Sequence, residues 1–223
     1  MKVLQYTTPL LSSNMYLLTE NNHGIIIDPY DGFAARIAEE CQEIDYILLT
    51  HEHYDHISGT NALRERYGCP VICSEPCGER IQNSSHNFSR YYEAYAAIQT
   101  GEPLPENSQP VAEYFTHADE VFSKHRTFFW QGHEVALTET PGHSPGSICI
   151  LTDRKQLFPG DTLLPGDVTV TRFPGGSRRQ YKEIALPYLR ELPDETFVYP
   201  GHYRAFRLRN HKTKMEEPYH DKH

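Results

Sequence analysis

Residues 48–59, LLTHEHYDHISG, decide how this chain is read. They place His51, His53, Asp55 and His56 within six positions, directly after the apolar run IDYILLT (44–50). In an extended segment, side chains two apart share a face, so His51 and His53 converge on one point. A turn into the following helix then carries Asp55 and His56 to an adjacent point. Coordinating groups crowded in this way destabilise a fold unless a partner organises them, and the partner that suits imidazole and carboxylate together is a divalent metal.

Working outward, MYLLTE (15–20) and GIIIDP (24–29) flank the turn-rich NNHG, which predicts a hairpin with Asp28 at its exit. FAARIAEECQ (33–42) has helical spacing, and IDYILLT then reads as a buried strand delivering the histidine cluster to the carboxyl edge of a sheet. TNALRERYG (60–68) reads as a helix, PVICSE (70–75) as a strand, and the strand–helix alternation predicts α/β layering. NFSRYYEAYAAIQT (87–100) is expected to be helical, with its aromatic face packed on the body, and 101–118 to be an irregular excursion. TFFW, HEVALTET, QLFPGDTLL and TFVYPGHYRAF supply further strands. RRQYKEIALPYLREL (178–192) predicts a helix that Pro187 should kink or interrupt.

Three more ligand candidates follow strands, each directly after Pro-Gly: His143 in TPGHS, Asp161 in FPGDT and His202 in YPGHY. Pro-Gly lets the backbone turn sharply and aims the next side chain out of a strand end. The set lacks cysteine, which argues against a closed structural zinc, and it suits zinc first, with iron or manganese also compatible. Tyr54, inside the cluster, reads as a pocket wall.

The composition bounds the alternatives. The chain has 223 residues, 38% hydrophobic and 23% charged, which fits one globular domain and not a disordered segment. A net charge of -9 argues against a broad nucleic-acid or anionic-membrane surface. No apolar run is long enough for a signal peptide or a membrane span. The five cysteines are an odd number, so a reduced cytoplasmic setting is expected, with Cys69, Cys73 and Cys77 as small buried hydrophobes.

HEHYDH, PGHSPGS, PGDT and YPGH, in that order, resemble the metallo-β-lactamase-fold hydrolases, and among them the short relatives of hydroxyacylglutathione hydrolase (glyoxalase II). The resemblance runs from NMYLLTE to GHY. It implies an αββα sandwich over residues 1–223, with a helical insertion around 85–118 and a short basic C-terminal tail. It further implies two divalent metal ions, one held by His51, His53 and His143 and the other by Asp55, His56 and His202, with Asp161 bridging. The implied activity is hydrolysis of a thioester or related acyl bond by a hydroxide held between the ions, with Asp55 orienting it. A mononuclear iron persulfide dioxygenase, a lactonase and a phosphodiesterase are the alternatives on the same fold.

Two departures bear on substrate. Where short relatives have GRTDFPGGS this chain has TVTRFPGGS (169–177), so Val170 and Arg172 replace an arginine–aspartate pair. Only 21 residues (223 − 202) follow His202, so the glutathione-binding helical domain of longer members is expected to be missing. Arg172 and Arg204 sit in the turns leaving Asp161 and His202, and an arginine fork there suits a carboxylate or phosphate. The expected partner is therefore a small anionic substrate; the sequence does not specify the oligomeric state.

Overall fold

The computed structural model describes residues 1–101, 112–166 and 169–216. Among the described residues, twelve strands form two six-stranded sheets. The first sheet runs in sequence order: β1 (Lys2–Thr7), β2 (Asn14–Glu20), β3 (His23–Ile27), β4 (Glu43–Leu48), β5 (Val71–Ser74) and β6 (Glu120–Phe122). β1, β2 and β3 are antiparallel neighbours, and β3 to β6 are parallel. The second sheet is ordered β12 (Phe206–Arg207), β11 (Phe197–Pro200), β10 (Gln156–Gly160), β9 (Ile148–Thr152), β8 (His133–Glu139) and β7 (His125–Trp130). Of its pairs only β10 and β11 are parallel.

Strand alternation builds the layers. Leu17, Ile26, Ile47 and Val71 are register partners across four strands and point to one side. There they pack with Ile37, Leu63 and Ile81 beneath helices α1 (Ala34–Glu40), α2 (Tyr54–Ile57), α3 (Thr60–Tyr67) and α4 (Glu75–Arg80). Their chain neighbours Leu18, Ile25, Leu48 and Ile72 point the other way, against Trp130, Val135, Leu137, Ile150 and Phe158 of the second sheet. The outer face of that sheet carries Cys149, Leu157 and Val198 against Leu189 and Leu192. Helix, sheet, sheet and helix are thus four layers around three apolar interfaces, the αββα sandwich expected from the motifs. All five cysteines are free and buried.

The hairpin turn between β2 and β3 is Asn21-Asn22, both with positive φ (51° and 68°), the geometry of a two-residue hairpin that follows the strand twist. At Pro187 the regular α-helix is interrupted, as its place in the sequence predicts. The helix runs as α6 (Arg178–Gln180), a π-helical turn over Tyr181–Ala185, and α7 (Leu186–Glu191), with Pro187 in the first turn of α7. Widening the turn ahead of the proline accommodates its missing N–H while the run stays helical. In the 85–118 segment a 3₁₀ turn (Ser89–Tyr91) leads into α5 (Tyr92–Thr100), residues 112–118 are irregular, and 102–111 lie outside the described residues. The basic tail begins in α8 (Arg209–Glu216). Among the described residues, no helix is long and apolar enough to cross a membrane.

Candidate metal centre

The two sheets are stitched together at one edge. Ile148 N–H donates to Thr50 O at 2.8 Å, Asn14 N–H to Gly201 O at 2.7 Å, and the Tyr16 hydroxyl to Pro200 O at 2.7 Å. These bonds bring the ends of β4, β10 and β11 and the loop before β9 together, and with them all seven sequence-predicted ligands. Two of the Pro-Gly glycines are sterically required. A Cβ on Gly160 (φ 51°) would strike the Thr50 hydroxyl, and one on Gly201 would strike Asp161 Oδ1. Only a bare backbone fits that close to the ligands.

His51, His53 and His143 form one group whose nitrogens lie within 4.8 Å of one another, and Asp55, His56 and His202 form a second. Asp161 spans them: Oδ2 is 3.7 Å from His143 Nε2 and 3.4 Å from His202 Nε2, and Oδ1 is 3.6 Å from His56 Nε2. His56 Nε2 and His202 Nε2 are each 3.4 Å from Asp55 Oδ2.

Surrounding groups fix the imidazole tautomers. Asp28 is 2% exposed, and its carboxylate accepts from the Thr50 amide (2.8 Å), the Thr50 hydroxyl (2.7 Å) and His56 Nδ1 (3.0 Å). With its proton given to Asp28, the Thr50 hydroxyl accepts from His51 Nδ1 at 3.0 Å. His143 Nδ1 donates to Val170 O at 2.8 Å. With Nδ1 committed in this way, His51, His56 and His143 each turn Nε2 inward, the atom a cation would take. His143 Nε2 faces His53 Nδ1 at 3.1 Å, while His51 Nε2, His53 Nε2 and Asp161 Oδ1 are buried with no hydrogen-bond partner. Converging acceptors of this kind are held together by a cation, so the residues fit a metal site.

The electrostatics agree. Burial, reinforced by neighbouring imidazoles, holds His51 and His53 well below the usual imidazole range. Burial also works against charge on His56 and His202, but the adjoining Asp55 and Asp161 carboxylates override it and raise them to about 9 and about 11. Against the same burial, His202 and His56 keep Asp161 well below the ordinary carboxylate range. The pocket thus favours added positive charge.

Asp28 was predicted only as the end of a hairpin; its role in aiming His56 was not, and proximity to His51 and His56 alone would suggest a ligand. A second residue was missed. Glu52, between two ligands, has 0% exposure; Oε1 receives Arg80 Nε at 2.5 Å and Oε2 the Ser144 hydroxyl at 2.8 Å. Tyr54 is half-buried with its ring 5.3 Å from Tyr92 and 5.5 Å from Tyr114, bracing α5. Arg172 and Arg204 are both exposed. The aromatic face of 87–100 is divided: Phe88 lies 4.7 Å from His53 while Tyr91 is exposed, so it packs only in part as expected.

The metallo-beta-lactamase superfamily profile matches residues 8–202, and the protein belongs to that superfamily. The chain is 30% identical over 212 residues to a hydroxyacylglutathione hydrolase of Rhizobium etli, covering 86% of this chain and 66% of that one, so it spans about two thirds of the relative's length. Among solved structures, the BLEG-1 B3 metallo-beta-lactamase superposes with a TM-score of 0.78 at 24% identity, over 95% of this chain and 97% of that one, a likeness of fold. TTHA1623 in a di-iron-bound form gives a TM-score of 0.68 at 25% identity, over 94% and 96%.

Proposed function

We propose that the protein is a dinuclear metal-dependent hydrolase that cleaves a thioester or related acyl bond in a small anionic substrate. The observation that carries this reading is the pair of ligand groups joined through Asp161, in which His51 Nε2, His53 Nε2 and Asp161 Oδ1 are buried with no hydrogen-bond partner. His51, His53 and His143 would hold one cation and Asp55, His56 and His202 the other, with Asp161 between them. Bound there, two divalent cations supply a nucleophilic water at neutral pH and polarise the scissile carbonyl.

The chain's own residues orient and exclude. Asp28, Thr50 and the Val170 carbonyl lock three imidazoles in the ligating tautomer. Asp55, 8% exposed, is the group that orients the attacking water and accepts its proton. Arg172 or Arg204, both exposed on the turns that leave the ligands, holds the remote anionic end of the substrate, and Tyr54 braces the wall beside it. The Rhizobium etli relative is named for an acyl thioester of glutathione, which supports the thioester class; the di-iron form of TTHA1623 supports a pair of metals and keeps iron beside zinc.

The test is metal analysis of protein purified without added metal, then assay against thioester, lactone, β-lactam and phosphodiester substrates. Two ions per chain and thioester cleavage are expected, and Asp55→Asn is expected to fold and bind metal yet lose nearly all turnover. Full activity in that variant removes Asp55 from the chemistry. One iron per chain with oxygen uptake on a persulfide overturns the hydrolase reading. Arg172→Ala or Arg204→Ala should raise KM for a charged substrate with kcat less affected, while a neutral analogue responds to neither; a wild-type enzyme indifferent to substrate charge refutes the anionic class.

A further inference from the structure

We propose that Phe88, Tyr95 and Phe173 form the acyl-binding wall of this site and select an aromatic or similarly broad, flat acyl group; the acyl role rests on the hydrolase reading above. The three rings come from three separate segments: the turn before the 3₁₀ helix, helix α5, and the loop that follows the second-sheet ligand Asp161. They meet directly on the ligands. The Phe88 ring centre lies 4.7 Å from that of His53, and the Phe173 ring lies 5.8 Å from His143 and 6.1 Å from His53. Tyr95 closes the group edge-on to Phe173 at 5.2 Å and near-parallel to Phe88 at 6.4 Å, with Phe88 and Phe173 6.2 Å apart.

Two observations separate this group from ordinary packing. None of the three belongs to the three hydrophobic clusters of the core, and all are half-buried, whereas the interior aromatics Tyr16 and Phe158 are 2% and 0% exposed. Phe88 and Phe173, the two that touch the ligand rings, thus keep part of their surface accessible. The backbone, moreover, is held in an unfavourable state to present one of them: Phe88 has φ 65°, left-handed and uncommon for a bulky side chain.

The wall is anchored to the ligands it covers. Asn87 is fully buried, donates to Tyr114 O at 2.9 Å, and accepts at its carbonyl from the Tyr54 amide at 2.8 Å, one residue beyond His53. On the other side Val170 O accepts from His143 Nδ1 and Gly176 N–H donates to Phe173 O at 2.7 Å. A rigid apolar surface beside the reacting centre rewards an acyl group that stacks or meets the rings edge-on, and it gives a methyl group little to contact.

Hydrolysis of a thioester breaks the carbonyl–sulfur bond and takes up water, giving a carboxylic acid and a thiol, so the product carboxylates are probes of the wall by themselves. Calorimetric binding of phenylacetate and acetate to the metal-loaded protein, with kcat/KM for phenylacetyl and acetyl thioesters of one thiol, tests the proposal. Wild type is expected to favour the phenyl ligand about tenfold or more. Phe88→Ala and Phe173→Ala are expected to narrow that preference to about twofold, and Phe173→Leu, which keeps most of the bulk, to retain an intermediate preference. Equal binding of both carboxylates by wild type, or an undiminished preference in both folded alanine variants, overturns the wall. Selective phenylacetate binding without thioester cleavage keeps the wall and rejects the thioesterase reading; cleavage of both thioesters at equal kcat/KM with equal product binding does the reverse.

Discussion

Replacing Arg80 with methionine tests whether the buried Glu52 network underlies the ligands. Glu52 is completely buried, and its charge is met by Arg80 Nε at 2.5 Å and by the Ser144 hydroxyl at 2.8 Å. Removing the guanidinium leaves a buried carboxylate with one neutral donor, and breaking a fully buried pair in this way costs about 3–5 kcal/mol. The Arg80 side chain is 17% exposed, so water partly compensates, and about 2–4 kcal/mol is the better figure. The bonds from Arg80 Nη2 to His86 O at 3.4 Å and Pro174 O at 3.3 Å are long and add little. At about 2–4 °C per kcal/mol for a chain of this size, a loss of about 3 kcal/mol lowers the melting temperature by about 6–12 °C. Because Glu52 lies between His51 and His53, and Ser144 follows His143, metal affinity should also fall, by about 10–100-fold as for other supporting-shell losses. Thermal melting and competition with a chromophoric chelator read the two effects. Arg80→Met combined with Glu52→Gln should cost less than the sum of the single changes, since a neutral amide tolerates the lost partner. A single variant melting within about 1 °C of wild type, or strict additivity in the double, would refute the reasoning.

Two further predictions follow from the ligand geometry. Chelation should lower the melting temperature, because a ligand bound only by the folded state stabilises it and its loss leaves the inward-facing lone pairs and the Asp55 and Asp161 carboxylates uncompensated; hydrogen exchange should rise in the loops bearing His53 and His202, and an unchanged melt after verified metal removal contradicts this. Gly201→Ala should displace Asp161, since the new Cβ meets Oδ1 and lies 2.9 Å from the Gly160 carbonyl carbon; the expected reading is fewer ions per chain with the far-UV spectrum retained, and full metal content at wild-type affinity would show that the loop relaxes freely.

The sequence alone determined what local periodicity and turn chemistry control. Apolar runs in residues 15–20, 24–29 and 44–50 marked the buried strands, while the side of each that meets the helices or the second sheet was left to the packing. Spacing in HEHYDH set the shared face of His51 and His53, and Pro-Gly marked the strand ends carrying His143, Asp161 and His202. Tertiary structure decided which strand ends are neighbours, because that depends on contacts with no sequence period, such as Ile148 N–H to Thr50 O and Asn14 N–H to Gly201 O. Asp28 became the orienting partner of His56, 28 positions away, and Glu52, to which the sequence assigned no role, is a buried charge met by Arg80 from α4, also 28 positions away. Phe88, Tyr95 and Phe173 gather over the ligands for the same reason. An amphipathic pattern records that a face is covered, whereas what covers it is settled only by the packing of segments far apart in the chain.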